Sequence, residues 1–572
     1  MLQKGDKNLV AMNGKPRMLT ERSCLLVCLA LGAVQAWLFR YSMISDGVSY
    51  LDIGDAYFRG DWKAAINAYW SPMYSWCLGL ALYLFRPSIS WEFITLHIVN
   101  FVIYVAALLS FRFFLRSVLR SLRKDASTGS DALVPLSETA LLRVGYSLFL
   151  WGSMVLIGVG RVTPDLLVAV FLFGIAGYLV ELSGRDSYPK FAFFGALCGA
   201  AYLAKTIMFP LGFGFLAILL FCRKRSKARV LGFLLAAAVF LLVCSPFILA
   251  LSRAKGRLTF GDSGKIAYAA LVSPGTPQIH WEGEPAGSGT PVHPTRKLLD
   301  DPPVFEFGEP ILGTYPPWDD PSYWCEGVQW NFRLRPQVRA VIFNAFSYER
   351  FLVREPGLLA GVFIFLCMGA SNSRKAIAAI WPLLAAAGLS LAAYSVIVVI
   401  DRYIGASMVV LFAATFAGIR LPNDARLRSG SNYLAAAVAL SVLLTVVGHV
   451  VENGYANLTV GAVPLAIDQL KTAIGLESLG LRAGDKVAVV GYGTANHWAR
   501  LGRFRIVAEA ATPGLSAPEF WAASPERRNR VYECLRGTGA RAVIAWDPPH
   551  NVLDARWKKA AGTKYYAYFL GN

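Results

Sequence analysis

The chain has 572 residues, of which 55% are hydrophobic and only 16% charged, and its mean hydropathy is +0.46. This composition excludes an ordinary soluble enzyme of this length and predicts an integral membrane protein. The formal net charge of +19 comes from Lys and Arg in short clusters between apolar runs, which is typical of cytoplasmic loops rather than of a nucleic-acid-binding surface. The nine cysteines form no CxxC pair, so neither a zinc site nor a disulfide framework is predicted.

Apolar runs long enough to cross a hydrocarbon core follow one another along the chain. A basic segment, residues 1–22, precedes the first run, which lacks a small-residue cleavage site and is therefore interpreted as a retained span. The run at 191–221 is interrupted by Lys205 and Pro210, so it is interpreted as two short spans with a turn at Lys205. The sequence then predicts about eleven spans: 23–40, 92–115, 141–160, 165–182, two within 191–221, 229–251, 356–371, 376–400, 404–419 and 432–451.

Positive charge on alternate connections predicts the orientation. With a cytoplasmic N-terminus, the clusters that lie inside are Lys4 to Arg22, Arg112 to Lys124, Arg185 with Lys190, Arg223 to Arg229, Arg374 with Lys375, and Arg420 to Arg428. The other face then carries residues 41–91, the insertion 252–355, the turns at 161–165, 205 and 401, and everything after 451. The expected location is the inner (cytoplasmic) membrane, with the C-terminal part in the periplasm or outside the cell.

Two parts of the chain outside the apolar runs are predicted to be folded. The insertion 252–355 is rich in Pro, Gly, Trp and Tyr, which indicates an ordered lid on the outer face rather than a linker. The segment 452–572 contains apolar strands at 486–493, 503–510 and 540–546 with a helical stretch at 517–537, which predicts a small α/β domain. The expected fold is therefore an α-helical polytopic membrane protein, 23–451, with this lid and a C-terminal α/β domain.

The first outer loop carries four carboxylates close to the membrane: Asp46, Asp52, Asp55 and Asp61. A structural explanation has Asp46 capping a helix that runs to Gly60, Asp55 paired with Arg59, and Asp61 in solvent. A chemical explanation is also open. Transfer of a glycosyl group to a hydroxyl needs a carboxylate that takes the proton and cations that stabilise a phosphate leaving group.

Four motifs lie in order on the predicted outer face between residues 24 and 420. They are Asp46, Tyr50, Gly60, Asp61 and Trp62 with Ser71, Pro72, Tyr74 and Trp76; then Thr163-Pro164-Asp165; then Lys205; and then Asp401-Arg402-Tyr403. This set resembles the GT-C superfamily of membrane glycosyltransferases, in the branch of lipid A aminoarabinose transferases and protein O-mannosyltransferases. Two positions differ, because Gly47 stands where the family has a second acid and Trp70 where it has a Lys.

The resemblance implies transfer of a sugar from a polyprenyl-phosphate lipid to an acceptor at the outer face. The residues that it implies are Asp46, Asp165 and Asp52 for catalysis, Lys205, Arg402, Tyr403 and Arg161 for the donor phosphate, and Tyr50, Tyr74 and Trp76 for substrate. No cofactor and no metal ligand are predicted, and a divalent metal is left open. The expected partners are the donor lipid, an acceptor that is a lipid, glycan or protein, and membrane lipids, with no nucleic acid.

Each candidate also has a structural explanation. Asp165 would cap the helix after Pro164, Lys205 would extend its amine to the interface, and Arg402 would pair with Asp401. The polar and aromatic residues of the insertion would form either an acceptor surface or, as favoured here, the core of the lid: His280, Trp281, His293, Arg296, Trp318 and Trp324.

Two other functions are considered. A transporter or lipid flippase would show inverted repeats and charges at the midplane, whereas the charged candidates here share one face. A membrane-anchored sensor would bind its ligand in the C-terminal domain, and deletion of 452–572 would distinguish it from an enzyme.

Overall fold

The computed structural model of the chain describes residues 5–128, 133–224, 226–273, 275–369, 380–459, 462–510 and 517–571. The helices in the first part of the chain are α1 Gly5–Leu38, α2 Ser45–Arg59, α3 Trp62–Ala65, α4 Pro72–Phe85, α5 Glu92–Thr128, α6 Glu138–Leu150 with a π-helical continuation Trp151–Ile157, α7 Asp165–Gly184, α8 Tyr188–Ala204, α9 Met208–Phe221, α10 Lys227–Lys255 and α11 Ser263–Leu271. The remaining helices are α12 Pro316–Asp319, α13 Pro321–Trp324, α14 Leu334–Val353, α15 Pro356–Met368, α16 Trp381–Ser395, α17 Asp401–Gly418, α18 Ala425–Thr459, α19 Ala462–Ser478, α20 His497–Leu501, α21 Pro518–Ala522 and α22 Pro525–Gly537.

Six helices in the described ranges are long and apolar enough to cross a membrane, or seven if α14 and α15, which meet at 89°, form one bent span. They belong to α1, α5, α6, α7, α10 and α18, and α4, α9 and α16 are shorter apolar helices. The chain is thus an integral membrane protein, although the predicted count of eleven spans is not confirmed. The predicted break at Lys205 is present, since α8 ends at Ala204 and α9 begins at Met208. The predicted cluster of Arg374 and Lys375 lies outside the described residues.

Helix α2 lies directly against α4. The two backbones touch at Gly54 and Gly79, where an added Cβ would come within 2.7 Å of the carbonyl oxygen of Ser75 or of Gly54. Only glycine permits so close an approach, because any side chain would collide with the opposite backbone. The helix ends at Arg59, and Gly60 follows with a left-handed φ of 76°. This packing fixes the position of the first outer loop.

A seven-stranded sheet lies outside the long apolar helices. Its strands are β2 Arg296–Asp300, β3 Pro303–Glu306, β5 Lys486–Val490, β6 Arg505–Ala510, β7 Ala542–Trp546, β8 Trp557–Lys559 and β9 Tyr565–Phe569, in the order β2-β3-β6-β5-β7-β9-β8. The short strands β1 Leu133–Pro135 and β4 Arg420–Pro422 form a separate antiparallel pair. Strand β5 is parallel to β6 and to β7, so the βαβ prediction for the C-terminal segment is confirmed. Strands β2 and β3 come from the insertion, and β3 pairs with β6. The insertion and the C-terminal segment therefore share one sheet.

Candidate active site

Four of the predicted site residues come together although they are far apart in the sequence. The Lys205 Nζ atom lies 2.6 Å from Asp165 Oδ1. The Arg402 guanidinium donates to Asp46 Oδ2 at 2.9 Å, and its Nε lies 3.7 Å from Asp165 Oδ2. All four side chains are less than one-fifth exposed. Two carboxylates and two cations thus form one compact, half-buried ionic group.

The local backbone explains why these side chains point inward. Asp165 is the first residue of α7, and its carboxylate makes no capping bond, so the capping explanation for Asp165 was wrong. Asp46 lies in the first turn of α2, where Ile44 takes the cap position, so Asp46 does not cap this helix either. Lys205 occupies the extended link between α8 and α9. Each site residue lies at or near a helix end, where ionisable groups reach an aqueous face.

Aromatic side chains line the ionic group. The Lys205 Nζ atom lies 3.4 Å from the ring centroid of Tyr403 and 5.7 Å from that of Tyr394, which are cation–π distances. The indole Nε1 of Trp318, from the insertion, donates to Asp46 Oδ1 at 3.3 Å. Tyr50 is buried one turn after Asp46. The insertion therefore contacts the predicted catalytic carboxylate, as expected of a lid.

Two cavities meet at this group. The smaller has a volume of about 320 Å³ and is lined by Asp46, Asp165, Lys205, Arg402 and Tyr403 together with apolar residues such as Leu271, Ile397, Val398 and Ile400. The larger has a volume of about 840 Å³ and is lined by the end of α1, the insertion and the C-terminal domain. Asp46, Gln278, Trp318 and Arg402 line both. These four residues form the boundary between the two spaces.

Four other predicted site residues lie outside the smaller cavity. Arg161 forms a bidentate pair with Asp401, with both distances 3.0 Å, and lines the larger cavity. Tyr74 is buried and its hydroxyl donates to Asn100 at 2.7 Å, so it supports the wall behind Tyr50 rather than lining a cavity. Trp76 packs edge-on against Tyr57 and lines neither cavity. The fourth, Asp52, belongs to a separate cluster.

That second ionic cluster joins α2 to the C-terminal domain. Arg500 Nη1 lies 2.7 Å from both Asp52 Oδ1 and Asp55 Oδ2, and its Nε donates to Glu92 at 2.9 Å. Arg503 Nη2 donates to Glu92 at 2.6 Å. Burial raises the pKa of Asp55, but the charges of Arg500 and Arg503 outweigh this and leave the pKa below its ordinary value. The expected pairing of Asp55 with Arg59 is present at 3.9 Å.

The polar and aromatic residues of the insertion divide between core and cavity. Trp281 and Trp324 are buried, as the lid-core interpretation predicted, and Arg296 is an exposed partner of Glu306. Trp318 alone among them lines the cavities. The ring of His280 stacks on Phe305, with its Nε2 2.7 Å from Glu509, and that of His293 stacks on Tyr323.

Sequence reasoning missed the C-terminal contribution to the site. Tyr492 and Thr494, in the turn after β5, line the larger cavity with Gln278 of the insertion. The Ser45 hydroxyl, one residue before Asp46, donates to the Thr494 carbonyl at 2.8 Å. Within the described ranges, no three His, Cys, Asp or Glu side chains are grouped so that they could hold a metal ion.

The fold has a counterpart among solved structures, whereas no family model and no curated protein sequence matches the chain. The crystal structure of ArnT from Cupriavidus metallidurans in the apo state aligns with a TM-score of 0.53 at 12% identity, over 96% of this chain and 98% of that chain. The chain has the fold of ArnT. This match agrees with the predicted fold class, a polytopic α-helical protein with a small C-terminal α/β domain.

Two further structures match with lower TM-scores. The Archaeoglobus fulgidus oligosaccharyltransferase tethered with an acceptor peptide has a TM-score of 0.45 at 11% identity, over 92% of this chain and 69% of that one. ArnT from Cupriavidus metallidurans bound to undecaprenyl phosphate has a TM-score of 0.41 at 13% identity, over 96% and 99%.

Proposed function

We propose that the chain is a glycosyltransferase that moves a hexosyl or pentosyl group from a polyprenyl-phosphate donor to an acceptor at the periplasmic face. The observation that carries this proposal is the ionic group at the junction of two cavities. Lys205 and Arg402 supply positive charge on the side of the smaller cavity, and Asp46 reaches both cavities. A phosphate donor on one side and a hydroxyl acceptor on the other would meet at Asp46.

The smaller cavity suits the donor. Its apolar lining accommodates the hydrocarbon chain next to the phosphate, and its two cations stabilise the charge that the phosphate gains as it leaves. Lys205 and Arg402 are each paired with a carboxylate in the structure. A donor phosphate would compete with Asp46 for Arg402, so donor binding would release the base that the next step requires.

The larger cavity suits the acceptor, which is a lipid, glycan or protein that carries a hydroxyl group. Asp46 would accept the hydroxyl proton while the hydroxyl oxygen bonds to the anomeric carbon. The bond from that carbon to the phosphate oxygen breaks, and the electron pair leaves with the polyprenyl phosphate. Asp165 would hold Lys205 in place between turnovers, since the two atoms are 2.6 Å apart. The basic connections predict that this face is the outer one, with the N-terminus in the cytoplasm and the chain in the inner membrane.

The test uses the full-length protein in lipid nanodiscs with a panel of radiolabelled polyprenyl-phosphate sugars and a cell-envelope extract as the acceptor. Asp46→Asn keeps the shape of the side chain but removes the base, so transfer should fall by about 10² to 10⁴. Asp61→Asn is the matched control, because Asp61 lies in the same outer loop, is exposed and lines neither cavity at the ionic group. It should retain wild-type transfer.

Equal transfer by wild type and Asp46→Asn would refute the role of Asp46. Asp52→Asn separates the two carboxylates further. It should lower stability because it removes one of the three carboxylate partners of the buried Arg500, whereas Asp46→Asn should leave the protein folded and, by freeing Arg402, should bind the donor at least as well as wild type. A wild-type protein that moves the labelled lipid across the membrane without consuming it would favour the transporter alternative.

A further inference from the structure

Helix α2 presents different residues to two partners. Asp46 and Tyr50 line the smaller cavity, whereas Asp52 and Asp55 contact Arg500 of the C-terminal domain. The first face carries the proposed chemistry, and the second binds the C-terminal domain. The position of Asp46 therefore depends on how firmly the second face is held.

Arg500 is suited to hold the face of α2 that carries Asp52 and Asp55. Its side chain is 3% exposed, and it lies in the short helix α20. One nitrogen, Nη1, is shared by Asp52 and Asp55 one turn apart on α2, while Nε reaches Glu92, the first residue of α5. The rigid planar fork of arginine can make these contacts in two directions, whereas the single ammonium group of lysine cannot.

A second contact between the C-terminal domain and α2 lies next to Asp46. The turn that precedes α20 accepts the hydrogen bond from Ser45, the neighbour of Asp46, through the carbonyl of Thr494. Thr314 of the insertion donates to Asp52 through its backbone N–H at 2.6 Å. Residues 492–501 therefore line the larger cavity at one end, and at the other end they bind the side of α2 that carries Asp52 and Asp55.

We infer that Arg500 is a positioning residue of the active site: by pairing with Asp52 and Asp55 it fixes the helix that presents Asp46. The inference rests on the proposed function for its link to turnover. The C-terminal domain then takes a direct part in the reaction, because its residues line the larger cavity and its Arg500 holds α2, the helix that carries Asp46. A displacement of about 1 Å at a reacting group is enough to cost on the order of 10²-fold in rate.

The experiment compares Arg500→Lys with Arg541→Lys in full-length protein in nanodiscs. Arg541 lies in the same domain and pairs with Asp485 at 2.7 Å, but its side chain is 49% exposed and does not line the cavity that Asp52, Asp55 and Arg500 share. Three quantities are measured: amide hydrogen exchange of α2, affinity for undecaprenyl phosphate, and turnover with the labelled donor panel. Arg500→Lys should speed exchange of α2 about tenfold and lower turnover about 10- to 100-fold, while lipid affinity stays within about twofold of wild type.

Lipid affinity distinguishes positioning from general damage, since Lys205 lies in the link between α8 and α9 and Arg402 in α17, so a loosened α2 leaves them in place. Arg541→Lys should change none of the three quantities. Asp55→Asn serves if Arg500→Lys does not fold, because it removes only one contact of the clamp, and it should change exchange and turnover in the same direction by less.

The inference is overturned if α2 exchanges at the wild-type rate in Arg500→Lys, if turnover stays at the wild-type level despite faster exchange, or if lipid affinity falls in parallel with turnover. Failure of the proposed function is a separate result. In that case the wild-type protein transfers no sugar from any donor of the panel, and the exchange measurement still decides whether Arg500 holds α2.

Discussion

Acid should destabilise the C-terminal domain through His497, the first residue of α20. The ring lies partly buried between α2, the insertion and the domain, and its Nε2 is shielded from solvent with no hydrogen-bond partner among the described residues. Burial disfavours the charged imidazolium and lowers the pKa of His497 from 6.5 to about 4. The group is therefore neutral in the folded domain at pH values where it would already be protonated after unfolding.

The sign and size of the stability change follow from proton linkage. Because the unfolded form binds the proton more tightly, stability is complete above pH 6.5 and falls as the pH drops from 6.5 toward 4. With these two pKa values the loss reaches about 2 kcal/mol at pH 5 and about 3 kcal/mol at pH 4. On the outer face proposed for this domain, which would experience the pH of the surroundings, a loss of this size would matter.

Hydrogen exchange of strands β5 and β7 in the full-length protein, corrected for the pH dependence of intrinsic exchange, measures the opening free energy. Carboxylates also titrate in this range, so the quantity of interest is the difference between wild type and His497→Asn. The difference should grow by about 3 kcal/mol between pH 7 and pH 4. His550→Asn, at an exposed histidine of the same domain, is the matched control and should keep the wild-type pH dependence. Parallel curves for wild type and His497→Asn would refute this reasoning.

Two further predictions concern the donor site and the packing of α2. Lys205→Ala should weaken undecaprenyl phosphate binding by about 1.5 to 3 kcal/mol and also lower turnover, because it removes a charged partner of the phosphate; unchanged affinity in a lipid-binding titration would contradict this. Gly54→Ala should lower the free energy of unfolding by about 1 to 3 kcal/mol, since its Cβ would lie 2.7 Å from the Ser75 carbonyl oxygen. The control Gly184→Ala should not, because an added Cβ there has no heavy atom within 4 Å. Equal melting temperatures for the two variants would refute the packing argument.

The membrane part and the ionic group could be predicted because charges inside apolar runs are conspicuous. Lys205 interrupts a long apolar stretch, and Asp165 and Arg402 each stand at the start of one, where an ionisable group without a partner would be costly. The order of these residues and the alternation of basic loops then indicated one face. The number of spans was harder to predict, because short apolar helices such as α9 and α16 have the composition of a span without its length.

The soluble part could be predicted only where neighbouring segments form it. Strands β5, β6 and β7 alternate with helices, and that local pattern is readable. Strand β3 pairs with β6 across some two hundred residues, with Val304 opposite Ala510, and nothing in the sequence near either strand specifies its partner. The contact of Arg500 with α2 is equally remote, and an arginine in a polar domain gives no signal that it will be buried.

The sequence spacing of the carboxylates in α2 already places Asp46 on a different face of the helix from Asp52 and Asp55. A helix turns about 100° per residue, so Asp46 and Tyr50 differ by about 40° and share a face. Asp52 is about 120° from Asp46, and Asp55 is about 180° from it, so neither shares the face of Asp46. A helix that directs Asp46 into the cavity directs Asp52 away from it, into the cluster around Arg500. The three carboxylates of α2 therefore do not serve one site. Helical geometry assigns Asp46 to the cavity and assigns Asp52 and Asp55 to the contact that holds the helix.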